Sequence, residues 1–132
     1  MSRVLADTHA LLWFLFNPKR LSDAAHSALT AAESGGAVYA SMISVIEVRY
    51  LVEKSRVPSE TYDDLVMAIH DPDLALTLLA IDLDVALAVE RIPRDMVPDL
   101  PDRIIAATAL SHNLPLVTAD HKIRASRIPT IW

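Results

Sequence analysis

Short apolar segments alternate along this chain with longer segments of helical periodicity. The apolar segments are RVLA (3–6), AVYAS (37–41), LTLLAI (76–81), LPLVTAD (114–120) and IPTIW (128–132), and they are typical of buried strands. Helices are predicted between them over 8–16, 23–33, 43–55, a segment after Ser59, 84–92 and 102–113. Strands that alternate with helices favour an α/β fold with a mostly parallel central sheet flanked by helices. The pattern leaves the order of the strands open.

Several of these helices carry recognisable start and stop signals. Asn17-Pro18 should end the first helix, because the residue before a proline is disfavoured in helical conformation. Ser22 and Ser59 are candidate N-caps, since a serine hydroxyl can accept a bond from a free amide in the first turn. Gly35-Gly36 should end the second helix.

Length and composition restrict the class of protein. A chain of 132 residues fits one domain, here expected to span 1–132. It contains no cysteine, which excludes disulfides and thiolate zinc sites and fits a reducing cytoplasm. The longest apolar runs, 10–16 and 74–81, are far shorter than the ~18 residues that a membrane span needs. We therefore expect a soluble cytoplasmic protein, and its 52% hydrophobic content suggests an oligomer.

The net charge of -5 argues against a simple basic clamp on nucleic acid. Affinity for phosphates usually comes from lysines and arginines that displace counterions. If the substrate is a polyanion, positive charge must come from another source. With only two glycines, the chain also lacks a glycine-rich phosphate loop, which excludes a nucleotide-binding ATPase of that type.

Four acidic residues are expected at one edge of the sheet. Asp7 follows the first strand, Glu47 lies in the first turns of the helix after the second, Asp102 begins the helix after a proline-rich loop, and Asp120 ends the strand LVTAD. In α/β folds the functional site lies at the carboxyl ends of the strands. The four carboxylates can therefore converge.

Each acid also has a structural explanation. Asp7 and Asp102 could cap helices, Ser44 and Glu47 match a capping box, and Asp120 could make a turn. Glu47 is the exception, because Ile43, Tyr50 and Leu51 surround it on a helical wheel and no basic residue lies three or four positions away. A carboxylate in an apolar arc is costly unless it has a partner or lines a wet cleft. This favours a functional role for Glu47.

Clustered carboxylates predict a divalent cation. Without one, mutual repulsion would raise some of their pKa values, whereas a metal ion reverses that cost. Oxygen ligands without cysteine favour Mg²⁺ or Mn²⁺. The four acids nearly equal the excess of acidic over basic residues, 17 against 12, so the negative balance does not exclude a phosphate substrate. Asp99, three residues before Asp102, is a candidate auxiliary acid.

Over its whole length the sequence resembles the PIN-domain ribonucleases, and among them the toxins of VapBC-type toxin–antitoxin systems. LADTHALLWFL resembles the family's opening strand, first acid and tryptophan-bearing helix, and SMISVIEV the segment with its second acid. DLPDRIIAATALSHNLPLVTAD resembles the third-acid helix and the strand that ends in the fourth acid, and IPTIW the closing strand.

The resemblance implies roles for particular residues. Asp7, Glu47, Asp102 and Asp120 would be the metal-binding and catalytic acids, with Asp7 and Asp102 as direct ligands, and Thr8 and Thr118 match hydroxyl positions that line such sites. Pro101 departs from the family, in which an aromatic residue often precedes the third acid, and this leaves the role of Asp99 open. The resemblance also implies a homodimer that a cognate antitoxin inhibits.

Other candidates carry weaker signals. Basic side chains that could follow an RNA backbone are Arg103, Lys122, Arg124 and Arg127, although a solvated surface explains any one of them. The five histidines are scattered, so packing or surface positions are expected for them. Trp13 and Trp132 are most simply core residues.

The predicted function is a Mg²⁺- or Mn²⁺-dependent endoribonuclease that cleaves RNA phosphodiesters by metal-activated water, as the toxin of a toxin–antitoxin pair. One alternative is a receiver-like phospho-acceptor module that binds Mg²⁺, with Asp82 after LTLLAI as acceptor. Such a module needs a lysine at the end of a later strand, and Lys122 lies beyond Asp120. A catalytically inactive PIN-like binding module is the other alternative, against which the presence of all four acids argues.

Overall fold

Five parallel strands form the central sheet, in the order β3-β2-β1-β4-β5. The computed structural model describes residues 2–132. The strands are β1 (Arg3–Ala6), β2 (Ala37–Ser41), β3 (Leu76–Leu79), β4 (Leu116–Val117) and β5 (Thr130–Ile131). The helices are α1 (Thr8–Phe16), α2 (Asp23–Gly35), α3 (Met42–Glu53), α4 (Thr61–His70), α5 (Leu83–Ala88), α6 (Leu100–His112) and α7 (His121–Arg124). The predicted α/β class with a parallel sheet is confirmed.

Helices cover both faces of the sheet. Successive residues of β1 point to opposite faces: Val4 and Ala6 pack into a core with α1, α2 and α4, and Leu5 packs into a second core with α5, α6 and α7. The second core includes Ala106 and Ala109 of α6, whose small side chains are almost fully buried. A sheet buried on both faces requires apolar residues at nearly every strand position, which explains the short continuous apolar runs.

The chain reverses its direction across the sheet at β1. It first adds β2 and β3 on one side of β1, and then returns to add β4 and β5 on the other side. Ala6 is aligned with Val117, and the amide of Asp7 donates to the carbonyl of Val117 (3.1 Å). The carboxyl ends of β1 and β4 therefore lie side by side at the switch point, where open α/β sheets bind their ligands.

Several predicted boundaries differ from the structure. The last two strands are much shorter than predicted, because only Leu116–Val117 and Thr130–Ile131 pair within the sheet. The residues after β4 form the unpredicted short helix α7. Ser59 is not an N-cap, since α4 begins at Thr61 after Glu60, which makes no side-chain cap bond.

The helices of the described chain are short. The longest, α2 and α6, have 13 residues each. Within residues 2–132, no helix has both the length and the apolar character that a bilayer crossing requires.

Candidate active site

All four predicted acids line one open cleft at the carboxyl edge of the sheet. The cleft has a volume of about 420 Å³. Its lining consists of Asp7, Thr8, His9, Trp13, Glu47, Asp99, Asp102, Ala119 and Asp120. The lining thus contains five carboxylates and, in the part of the chain that the structure describes, no lysine or arginine. The structure brings together the acids that the sequence separates by more than a hundred residues.

Asp7 caps a helix and lines the cleft at the same time. Its side chain accepts a hydrogen bond from the amide of Ala10 (2.9 Å), which makes it the N-cap of α1. The residue is only 8% exposed, and burial raises the pKa of its carboxyl. Hydrogen bonds from Thr118 and Ala10 oppose that rise, and the nearby carboxylate of Asp120 adds to it. The capping and functional interpretations of Asp7 are therefore compatible.

Glu47 is held by a threonine on another helix. The hydroxyl of Thr8 donates to Oε1 of Glu47 (2.5 Å) and lies 2.9 Å from the hydroxyl of Ser44. A threonine hydroxyl has one proton, so Ser44 donates to Thr8 when Thr8 donates to Glu47. The capping-box interpretation is wrong, because α3 begins at Met42 with Ser41 as its N-cap and Ser44 lies inside the helix.

Asp99, rather than Asp102, caps α6. The side chain of Asp99 accepts a hydrogen bond from the amide of Asp102 (3.1 Å), and the helix begins at Leu100. Pro101 stands in the first turn, where its missing amide proton costs nothing. The expected capping role of Asp102 is therefore incorrect. Its carboxylate is free of that role and lies among the other acids of the cleft.

Asp120 and Thr118 complete the cleft after β4. The Asp120 side chain accepts hydrogen bonds from the amides of Lys122 (2.8 Å) and Ile123 (3.1 Å), which start α7. The hydroxyl of Thr118 accepts from the amide of Asp120 (3.0 Å) and is fully buried. The Thr118 hydroxyl also lowers the pKa of Asp7, so this one residue acts on the acids that follow β1 and β4.

Burial and neighbouring carboxylates both act on Asp102. Burial raises its pKa to about 7, with further contributions from Asp99, Asp120, Glu47 and Asp7 in that order. The ion pair found within residues 2–132 is Arg49–Glu53 (3.4 Å), which is exposed on α3. Among the described residues, the acids of the cleft therefore have one another as electrostatic neighbours, together with His9, whose charge lowers the pKa of Asp7.

The donor set fits a hard divalent cation. One carboxylate oxygen from each of Glu47, Asp99 and Asp102 lies within 4.8 Å of the other two. Oxygen-only donors are those that Mg²⁺ and Mn²⁺ prefer, and a dication would offset both the burial and the repulsion that raise the pKa of Asp102. This trio contains Asp99, which the sequence marked as auxiliary, and lacks Asp7, one of the two acids expected to be a direct ligand.

The candidate RNA-binding residues occupy three different settings. Lys122 and Arg124 are exposed on α7, directly after Asp120. The guanidinium of Arg103 instead donates to the carbonyls of Val89 (3.0 Å) and Ile92 (2.9 and 3.1 Å), so it joins α6 to the segment before it. Arg127 lines a separate cavity. The positions of Lys122 and Arg124 are the ones next to the cleft.

His9 is exposed and Trp13 packs against the first core, in agreement with the predicted packing or surface position and core position, but both side chains also line the cleft. They lie four residues apart on α1, and their ring centroids are 5.7 Å apart. The missed signal is the four-residue spacing of His9 and Trp13 on the helix that Asp7 caps. Residues at positions i and i+4 of a helix share a face, and this helix begins at a site acid.

Asp82 has a structural role away from the cleft. It follows β3, which is an edge strand, and its side chain accepts from the amide of Val85 (2.9 Å) to cap α5. A receiver module needs its acceptor after a central strand. The receiver-like alternative is therefore wrong.

Comparison with known proteins gives one family. The model of the PIN domain matches residues 4–128. Ribonuclease VapC22 of Mycobacterium tuberculosis is 30% identical over 135 aligned positions, which cover the full length of both chains.

Solved structures share the fold. VapBC2 from Rickettsia felis, bound to a DNA fragment of its promoter, superposes with a TM-score of 0.71 at 16% identity, covering 97% of this chain and 96% of that one. A toxin–antitoxin complex from Klebsiella pneumoniae gives a TM-score of 0.68 at 25% identity, covering 98% and 96%.

Proposed function

This chain belongs to the PIN-domain family, and from that premise we propose that it is a divalent-metal-dependent endoribonuclease acting as the toxin of a toxin–antitoxin pair. The observation that carries the proposal is the cleft with five carboxylates and neither lysine nor arginine among its described lining residues. The name of the Mycobacterium tuberculosis relative supports RNA as the substrate, and the toxin–antitoxin complex from Klebsiella pneumoniae supports an antitoxin partner.

The acids of the cleft would hold Mg²⁺ or Mn²⁺. We assign this role to Asp7, Glu47, Asp102 and Asp120, and add Asp99 because it belongs to the closest group of carboxylate oxygens. When bound, such an ion lowers the pKa of a bound water and neutralises the charge of a scissile phosphate.

The surrounding residues fix the acids in place. Thr8 donates to Glu47, and the amide of Ala10 donates to Asp7, so each of these bonds limits the orientation of one carboxylate. The cap bond between Asp99 and the amide of Asp102 anchors the start of α6 at the cleft. Lys122 and Arg124 are positioned to contact phosphates on the side of Asp120. Preorganised ligands of this kind avoid the cost of ordering carboxylates during the reaction.

RNA cleavage by purified protein tests this function. The protein is co-expressed with the product of the neighbouring small open reading frame, separated from it, and incubated with total RNA, and the cut sites are mapped. EDTA should stop cleavage, Mg²⁺ or Mn²⁺ should restore it, and Zn²⁺ should restore it poorly. Cleavage undiminished by exhaustive chelation would exclude the metal mechanism, and no cleavage by free protein would support an inactive PIN-like binding module.

The chemical ends of the product test the mechanism separately. Attack by water should leave 5′-phosphate and 3′-hydroxyl ends, whereas attack by the RNA's 2′-hydroxyl leaves a 2′,3′-cyclic phosphate. The second route needs a general acid and base near neutrality. Mass spectrometry of a cleaved oligonucleotide distinguishes the two, and a cyclic phosphate as main product would refute the proposed chemistry.

We also propose a homodimer, supported by apolar side chains exposed on the surface. Met42, Ile46 and Tyr50 recur at every fourth position of α3, and Ile46 is 58% exposed. Leu100 is exposed at the start of α6, which contacts α3, and Leu83 and Leu87 are exposed on α5, which contacts α6. Ile46→Glu should convert a dimer to a monomer in sedimentation, with the exposed Met67→Glu on α4 as control. A wild-type monomer would contradict the proposal.

A further inference from the structure

We propose that His9 and Trp13 form a base-binding wall of the cleft, against which one unpaired base of single-stranded RNA stacks next to the acidic residues. The inference rests on the proposed ribonuclease function and adds the means by which the substrate is held. The carboxylates account for chemistry at a phosphate, but they give an RNA chain no attraction of their own.

The cleft has an acidic part and an aromatic part. His9 is exposed and Trp13 is partly buried, and both contribute to the same lining as Asp7, Glu47 and Asp102. Their rings lie 5.7 Å apart and are inclined by 49°. Since Asp7 caps the helix that carries both rings, the wall begins two residues after a site acid. Trp13 then lies about 9 Å from Asp7 along the helix axis, from a rise of about 1.5 Å per residue.

The Trp13 ring is fixed by residues that do not line the cleft. The guanidinium carbon of Arg20 lies 4.6 Å from the centroid of that ring, and the Trp132 ring lies 5.7 Å away at an angle of 55°. Cation–π and tilted aromatic contacts of this kind restrict the orientation of an indole. A wall already ordered before binding loses less conformational entropy when a base stacks on it.

Charge makes a base the better ligand for this wall than a phosphate. The chain has a net charge of -5, and no lysine or arginine is present among the described lining residues, so counterion release contributes little inside the cleft. Stacking does not depend on charge, and every base offers a flat face. Bases in a duplex are already stacked and paired, whereas those of a single strand can turn outward onto aromatic side chains. The wall therefore selects unpaired RNA.

The test uses a 12-nucleotide RNA that contains the cut site mapped for this protein, and a series of the same RNA with one abasic residue at each position near the cut. We expect one abasic position to raise KM for the wild-type protein by roughly 5- to 150-fold, the range of one base–aromatic stack. His9→Ala and Trp13→Leu should raise KM on the intact RNA and should add little further loss on that one abasic RNA.

Controls separate stacking from folding. His26→Ala on α2 removes another exposed histidine outside the cleft lining and should leave both KM values unchanged. Trp13→Phe keeps an aromatic ring and should retain most of the binding if Trp13→Leu proves unstable. A merely structural role for the two residues would lower activity on intact and abasic RNA by the same factor, and that result would overturn the inference.

A second readout does not need cleavage. In Trp132→Phe protein, Trp13 is the remaining tryptophan, and a base stacked on it should quench its fluorescence as the 12-nucleotide RNA is added. If the protein cleaves RNA with no quenching of Trp13 fluorescence and no abasic effect that depends on His9, that result would refute the base-binding wall and leave the ribonuclease function intact. If the His9 and Trp13 variants cleave RNA with wild-type kinetics but no longer bind the antitoxin, the two residues belong to a protein interface. That result would also refute the proposal.

Discussion

Two cavities of this molecule have similar size and opposite chemistry. The larger, about 540 Å³, lies between the end of α6 and the segments 91–96 and 126–128. Its lining is mostly apolar, with Arg91 and Arg127 as the charged residues. The acidic cleft is smaller, about 420 Å³, and five carboxylates line it. The two share no lining residue.

Charge, more than volume, separates the proposed site from the larger cavity. The acidic cleft lies where the strand order reverses, and it contains a buried carboxylate, Asp7, and a second, Asp102, whose pKa is raised to about 7. Like charges held together in a fold are costly, and perturbed acids in a cleft are a mark of functional sites. The described lining of the larger cavity contains no carboxylate.

Asp7→Asn should have the largest effect on activity, because it changes the acidic cleft and leaves the larger cavity as it is. Cleavage should fall by more than about 100-fold, the upper range for losing a group that only supports a metal ligand. Asparagine caps helices as well as aspartate does, so α1 should stay intact. RNA cleavage and thermal melting measure the two effects. Full activity in the folded variant would mean that the acidic cleft has no better claim to be the active site than the larger cavity.

Arg103→Ala tests the residue that links the two regions. Arg103 stands one position after Asp102, but its guanidinium bonds the carbonyls of Val89 and Ile92, and Ile92 lines the larger cavity. The free energy of unfolding should fall by about 1.5–3 kcal/mol, the range for hydrogen bonds to a charged group. Denaturant titration measures this loss. A stable variant with a raised KM for RNA would instead assign Arg103 to the substrate.

The stability of the metal-free protein should fall as the pH rises from about 4 to about 7. The pKa of Asp102 is raised from 3.8 to about 7 in the folded chain, so folding takes up a proton between these values. Stability is then greatest below the unfolded pKa and levels off above the folded one. Denaturant titrations in EDTA at several pH values measure the slope. Asp102→Asn should flatten it, and an equally steep slope in that variant would contradict the assignment.

Arg127→Ala should have the smallest effect. Its side chain lines the larger cavity, away from the acids, so the cleavage rate should stay within about twofold of the wild-type rate. Lys122→Ala on α7 should instead weaken RNA binding and reduce the salt dependence of that binding. Cleavage assays at two salt concentrations compare the pair. A larger loss in Arg127→Ala than in Lys122→Ala would extend the RNA path to the larger cavity.

Much of the local structure follows from neighbouring residues. The predicted bounds of β1, α1 and β2 agree with the structure, and Ser22 caps α2 as predicted, with a bond to the amide of Ala25 (3.1 Å). These features depend on side-chain periodicity and on cap bonds that reach three residues along the chain. The short strands were overestimated because apolar residues continue beyond the positions that pair, as in IPTIW.

The sequence by itself determined the α/β class and the parallel sheet, and it identified four candidate acids, because each of these depends on periodicity or on the composition of a short local segment. Only the tertiary structure decided which groups meet. Thr8 reaches Glu47 across 39 residues, Asp99 joins Glu47 and Asp102, and two rings of α1 face the acids. Such contacts depend on the return of the chain that sets β4 beside β1, and no local pattern encodes that return.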